Sequence, residues 1–299
     1  MRFFAALGAL AAAAVCASAQ AVRQPWLPVA LFGYPSADFN YLYQAIAAHP
    51  EINFEIIVNP SGGPGNVNKT ELPDINWQNT ILKLKSYPNT VLVGYSRTKW
   101  TYGNRNATQN QIEIAQYNRW GILRPDLALD GVFLDDCPWQ EELLPAWQDF
   151  GDRIHAGTGW RKEGPWFNSP SYRNGLSYWN PGSPTSPGFY GPADRIMTQE
   201  VSYDYAPLEW VFRAPNAPRE KQAVLNYYQG SYDANLARRV ANNMVGTNLG
   251  SYSLHAIGKD YMYNVIGSAF PSAVDLVAKS FQYYNDPNNL YSGCGQYRF

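Results

Sequence analysis

Cysteine and histidine are both scarce in this 299-residue chain, with three of each. His49, His155 and His255 are isolated from one another, on or beside predicted helices, and no HExxH or comparable ligand spacing occurs. That excludes the usual zinc hydrolases and metal-dependent deacetylases, and no metal or cofactor is expected. Positive charge is also thin. Lys and Arg together number 23 against 24 Asp and Glu, the net charge is −1, and no basic cluster is present. Nucleic-acid binding rests on concentrated positive charge, so it is not expected. Nucleotide motifs are missing too. Gly62 to Thr70 ends in Asn-Lys-Thr where a phosphate loop needs Gly-Lys-Thr, and no dinucleotide fingerprint follows a strand. Gly94-Tyr95-Ser96-Arg97-Thr98 lacks the second glycine of a nucleophile elbow.

Long apolar runs are absent beyond the amino terminus. Arg2, the apolar stretch 3–15 and the small residues Ala17-Ser18-Ala19 together form the pattern of a secretory signal over residues 1–19. The stretch is too short to span a bilayer, so an exported protein without a membrane span is expected, with one domain over residues 20–299 and a monomeric state. Cys16 leaves with the signal, so Cys137 and Cys294 remain. A disulfide between them suits an oxidising compartment, and two free thiols are equally compatible with the spacing. Asn68-Lys69-Thr70 and Asn106-Ala107-Thr108 are glycosylation sequons.

What the chain does contain is a regular alternation of short apolar runs and helical patterns. Strands are expected at 27–34, 54–59, 90–95, 131–135, 176–180, 195–200, 223–228 and 260–265. Ile56-Ile57-Val58, Val91-Leu92-Val93 and Val132-Phe133-Leu134 are continuous, as in strands covered on both faces. Helices are expected at 38–48, 77–86, 108–120, 143–155, 207–212, 234–244 and 272–284, with a short turn at 189–193. Thr108 is placed to cap its helix, with Ile112, Ala115 and Trp120 on one side. Eight β/α units in order predict an α/β fold, a single (β/α)8 barrel of the TIM type, with an open doubly wound sheet as the alternative.

Barrel chemistry gathers at the carboxyl ends of the strands. Those ends are Tyr34, Asn59, Tyr95, Asp135 with Asp136, Asn180, Glu200 and Tyr228. Strand-end acids serve acid/base or nucleophilic work on a sugar, with Asp135 as nucleophile or stabiliser and Glu200 as general acid/base. Asp136 is the third catalytic candidate. Adjacent strand residues point to opposite sides, so one of the two acids is expected instead to bind a loop backbone or an arginine such as Arg105. Asp136 is also placed to cap the next helix. Asn59, Tyr95, Asn180, Tyr34 and Tyr228 are the substrate-contact candidates. Asn59 and Asn180 each precede proline and are equally suited to forming turns. The chain carries 10 Trp and 22 Tyr, and several, among them Trp100, Tyr102, Trp139 and Tyr190, fall in the rim loops. Aromatic faces stack on sugars, and for any single ring core packing is the simpler reading.

Five motifs in order carry a family resemblance. They are Asn59-Pro60-Ser61-Gly62-Gly63-Pro64-Gly65; Gly94-Tyr95 with Thr98 and Tyr102-Gly103-Asn104-Arg105; Asp130-Gly131-Val132-Phe133-Leu134-Asp135-Asp136; Asn180-Pro181-Gly182; and Ala193-Asp194 running to Glu200. Together they resemble the spherulin-4-like proteins, glycoside hydrolase family 135. The resemblance implies a secreted (β/α)8 enzyme cleaving α-1,4-linked N-acetylgalactosamine in galactosaminogalactan. It also implies an Asp-Glu pair ending strand four and a Glu ending strand six. Asp135 and Glu200 match, whereas Asp136 stands where the resemblance implies Glu. Two functions therefore stay open: an endo-acting glycosidase on a polysaccharide, and a non-catalytic, wall-associated carbohydrate-binding protein on the same barrel.

Overall fold

The computed structural model describes residues 22–35, 39–65, 72–98, 107–202, 216–227, 233–255 and 266–286. The signal segment, Asn68, Asn106, Tyr228, Cys294, Arg105, and the expected elements at 207–212 and 260–265 lie outside the described residues. Within them are eight strands: β1 Trp26–Leu31, β2 Asn53–Val58, β3 Thr90–Arg97, β4 Gly131–Asp135, β5 Leu176–Asn180, β6 Arg195–Ser202, β7 Gln222–Tyr227 and β8 Ser251–His255. All are parallel and ordered as in the chain, and β1 lies beside β8. The sheet is thus a nearly closed barrel rather than an open doubly wound sheet. No helix of the described residues is long and apolar enough to cross a membrane.

Strand alternation divides the core into two layers. Ala30, Ile57, Val91, Val93, Tyr95, Phe133, Leu176, Tyr178, Met197, Ala223 and Leu225 fill the barrel. The opposite faces, including Val29, Ile56, Leu92, Val132, Trp179 and Val224, pack under the helices. This double burial explains the unbroken apolar runs of β2 and β4. The floor of the barrel is polar. Glu55 on β2 is fully buried, pairs with Arg195 Nε at 3.1 Å and accepts from Ser251 Oγ. Arg195 in turn donates to the Glu220 carbonyl and lies over the Trp26 ring.

That floor explains one departure from expectation. The eighth described strand is Ser251–His255, where none was expected, and its inward residues are the buried serines Ser251 and Ser253. An inward serine face carries no apolar signal. His255 accordingly ends a strand rather than lying on a helix. Elsewhere the strand boundaries differ by a few residues. β1 stops at Leu31, which leaves Tyr34 beyond it, and β3 runs on to Arg97.

The helix Ala107–Leu123 departs differently. Thr108 is the second residue of the helix rather than its cap. Ile112 and Ala115 are exposed, and the buried face carries Ile114, Tyr117 and Trp120 together with the polar Asn110, Glu113 and Gln116. Asn110 and Glu113 are buried because they bond the end of β3. Asn110 donates to Ser96 Oγ at 2.8 Å and to the Arg97 carbonyl at 3.2 Å, and Ser96 Oγ donates to Glu113 at 2.7 Å. Tyr117 donates to the Tyr95 carbonyl at 2.7 Å. Its ring comes this close only because Gly94 has no side chain, since a Cβ there would stand 2.5 Å from the Tyr117 ring. Gly94→Ala overpacks this contact, and its unfolding free energy in urea is expected to fall by about 2–3 kcal/mol, with no change in folded helix content by circular dichroism.

Candidate active site

The inward phase of each strand, followed to its carboxyl end, assembles the site. On β3, Tyr95 follows Val93. On β4, Asp135 follows Phe133, and on β5, Asn180 follows Tyr178. On β6 the same rule would bring in Gln199, two residues past Met197. Instead Met197 pairs with Ala223 and Gln199 with Val224, so two residues of β6 span one step of β7. This bulge shifts the phase by one residue, and Glu200 stands opposite the inward Leu225. The displaced Gln199 turns out of the barrel, where its Nε2 donates to Asn226 Oδ1 at 2.7 Å.

Asn180 joins the two acids. Its Nδ2 donates to Asp135 Oδ1 at 2.9 Å and to Glu200 Oε2 at 2.5 Å, and its Oδ1 accepts from the Gly182 N–H at 3.0 Å. One amide nitrogen bonded to both oxygens keeps them within about 5 Å of each other. Asn180 therefore closes its own turn and holds the carboxylates together. Gly182 has φ +63°, and its Cα faces Glu200, so the Asn180-Pro181-Gly182 turn lies directly against the glutamate.

Tyr95 donates to Asp135 Oδ2 at 2.6 Å. Both oxygens of Asp135 thus accept hydrogen bonds, a pattern that favours the ionised form. Burial acts against it and is the larger effect, so Asp135 sits above its ordinary value, with the nearby Asp136 charge adding to the rise. The Tyr95 hydroxyl is held well above the ordinary tyrosine range by burial and by the Asp135 charge, so it stays a donor. Below the acids the barrel is lined by aromatic rings. Phe32 meets Tyr95 edge-on at 4.8 Å, and Phe133 meets Tyr178 at 5.0 Å.

Asp136 leaves this group. Its φ is +55°, a left-handed conformation that Asp tolerates better than most residues. The turn sends its carboxylate to Arg97 Nε at 2.6 Å, while the Thr98 hydroxyl lies 2.8 Å from the Asp136 carbonyl and 2.7 Å from that of Asp135. The expected arginine pairing is present, but the partner is Arg97, and the following helical turns carry no side-chain cap from Asp136. Cys137 is buried with a free thiol, its Sγ 3.0 Å from the Leu134 carbonyl, and its N–H donates to the Asn180 carbonyl at 3.0 Å.

The remaining candidates lie outside this cluster. Asn59 spends its side-chain oxygen on the Gly63 N–H at 3.0 Å, which is the turn-forming role. Tyr34 stands on the rim, its hydroxyl bonded to Asp74 and Asn76. Asp194, from the fifth motif, binds Arg173, His155 and the Ser177 N–H and so anchors the start of β6. Asp130 accepts from the Leu92 N–H at 2.7 Å at the foot of β4, far along the strand from Asp135. Two residues were missed: Phe32, two past the inward Ala30, and Arg97, two past Tyr95. Strand parity carried to the rim would have found both. No group of three or more His, Cys, Asp or Glu is arranged to hold a metal among the described residues.

Comparison with known proteins agrees with this architecture. The model of the spherulation-specific family 4, Spherulin4, matches residues 27–277. A crystal structure of Aspergillus clavatus Sph3 in complex with GalNAc is similar at 26% identity, covering 85% of this chain and 98% of that one, with a TM-score of 0.71. A Bacteroidetes-affiliated GH5 cellulase aligns over 91% of this chain and 93% of its own at 12% identity and a TM-score of 0.47. No curated protein sequence matches.

Removing the Tyr95 hydroxyl deletes a bond that stabilises ionised Asp135. Tyr95→Phe is expected to raise the Asp135 titration midpoint further above its ordinary value, read from the carboxyl carbon resonance of labelled protein.

Proposed function

The chain belongs to the spherulation-specific family 4, and from that premise we propose that it is a secreted glycoside hydrolase. Its substrate is a polysaccharide containing α-1,4-linked N-acetylgalactosamine, cleaved within the chain. The observation that carries this reading is the amide of Asn180 bonded at once to Asp135 and Glu200. Two carboxylates from different strands, about 5 Å apart at the mouth of a barrel, match the spacing of a retaining pair, whereas an inverting pair stands about 6.5–9.5 Å apart. The GalNAc in the Aspergillus clavatus Sph3 structure supports an amino sugar as the class of ligand.

In this mechanism Asp135 is the nucleophile. Tyr95 and Asn180 donate to its two oxygens and orient the ionised carboxylate toward the anomeric carbon. Glu200 protonates the leaving oxygen as attack proceeds, then removes a proton from the water that hydrolyses the glycosyl-enzyme. Tyr95 and Asn180 act as positioning residues, a role different from the direct sugar contact expected of them. Asp136 supports the site from outside through Arg97, and a half-exposed pair of that kind is worth about 1 kcal/mol or less.

Asp135→Asn and Glu200→Gln are each expected to lower release of oligosaccharides from purified galactosaminogalactan by about 1,000-fold or more. Asp136→Asn is expected to lower it by no more than about tenfold. Product release is followed by reducing-end assay and mass spectrometry. If the wild-type protein binds the polymer and releases nothing, the carbohydrate-binding reading replaces the enzyme.

A further inference from the structure

Tryptophan is hidden almost everywhere in the described structure. Trp77, Trp120, Trp147, Trp166 and Trp179 are each under 2% exposed. Trp139 is 52% exposed. A large apolar side chain gains about 1.5–3 kcal/mol on burial, and this one stands in water four residues past Asp135, at the catalytic end of β4.

Its mount is firmly held. Upstream, Arg97 grips Asp136, Cys137 bonds the carbonyls of Asn180 and Leu134, and Pro138 restricts the backbone. The Trp139 N–H donates to Gln140 Oε1 at 3.2 Å. The backbone that carries the indole is thus held in place before any ligand arrives. Tyr34, past the end of β1, is 56% exposed, and its hydroxyl is tethered by Asp74 and Asn76 while the ring stays open. β1 and β4 lie three steps apart in a ring of eight strands, so the two rings occupy separate sectors of the mouth.

We propose that Trp139 is the aromatic platform of a sugar subsite beyond the one at the carboxylates, with Tyr34 its counterpart across the mouth, so that the protein grips a polysaccharide as a chain. The proposal rests on the reading of this mouth as a sugar site. The occupant is a neighbouring residue of the same glycan, and its ring C–H face is the surface an indole recognises. Continuity with Asp135 along one held loop ties the platform to that glycan. The bonds around Asp136 and Cys137 then serve a second purpose, keeping the platform in register with the acids.

The test measures binding rather than turnover. The Asp135→Asn protein is titrated calorimetrically with N-acetylgalactosamine and with its α-1,4-linked oligosaccharides up to the hexasaccharide. Affinity is expected to rise with chain length. Adding Trp139→Ala is expected to weaken the hexasaccharide about tenfold and the monosaccharide hardly at all, with Trp139→Phe recovering most of the loss and an unchanged thermal midpoint. An equal loss at every length, or none at any length, overturns the platform while leaving the site reading intact. If no sugar binds the Asp135→Asn protein at any length, the reading of the mouth as a sugar site fails, and the platform fails with it.

Discussion

Parity along the strands is the constraint on which this protein depends. In a barrel of parallel strands every second residue faces the axis, so the identity of the inward set at each carboxyl end decides what chemistry is available. β3, β4 and β5 keep their phase from floor to mouth and deliver Tyr95, Asp135 and Asn180. β6 does not keep it. A single extra residue between Met197 and Gln199 exchanges an inward glutamine for an inward glutamate. Without that irregularity Glu200 would face the helices and Asp135 would lack a partner across the mouth.

The same geometry explains why the adjacent acids differ. Asp135 ends β4 in the inward phase, and Asp136 enters a left-handed turn and is drawn to Arg97. The acid joined to Asp135 comes from two strands away, with Asn180 on the intervening strand as the link. Asn180 suits that position because one amide offers both a donor group for two carboxylates and an acceptor for its own turn. The floor of the barrel is equally specific. Burial pushes the Glu55 carboxyl up, and Arg195 and Ser251 pull it back, so the far end is sealed by a satisfied polar cluster.

Much of the architecture was legible in the residues. β4 and β5 fall at the expected boundaries, and in β4 burial on both faces leaves the continuous run Val132-Phe133-Leu134. β8 was not legible. Its inward residues are serines, Ser251 of them bonded to Glu55, and period-two hydrophobicity vanishes wherever the interior is polar. The helix Ala107–Leu123 misled for a related reason. Asn110, Glu113 and Gln116 are buried against the end of β3 while Ile112 lies in solvent, which reverses the expected faces.

The sequence by itself determined the alternation of eight units, the acids near the carboxyl ends of strands four and six, and the membership of a family, since local propensity and strand-end chemistry are written residue by residue. Only the tertiary structure decided which of those residues meet. It brought Asp135 to Glu200 through Asn180, set the Tyr95 hydroxyl as a donor to Asp135, and sent Asp136 to Arg97. Each of those outcomes turns on a bulge, a left-handed residue or a cross-strand hydrogen bond. Such features arise from how strands pack against one another, and no spacing along a single strand encodes them.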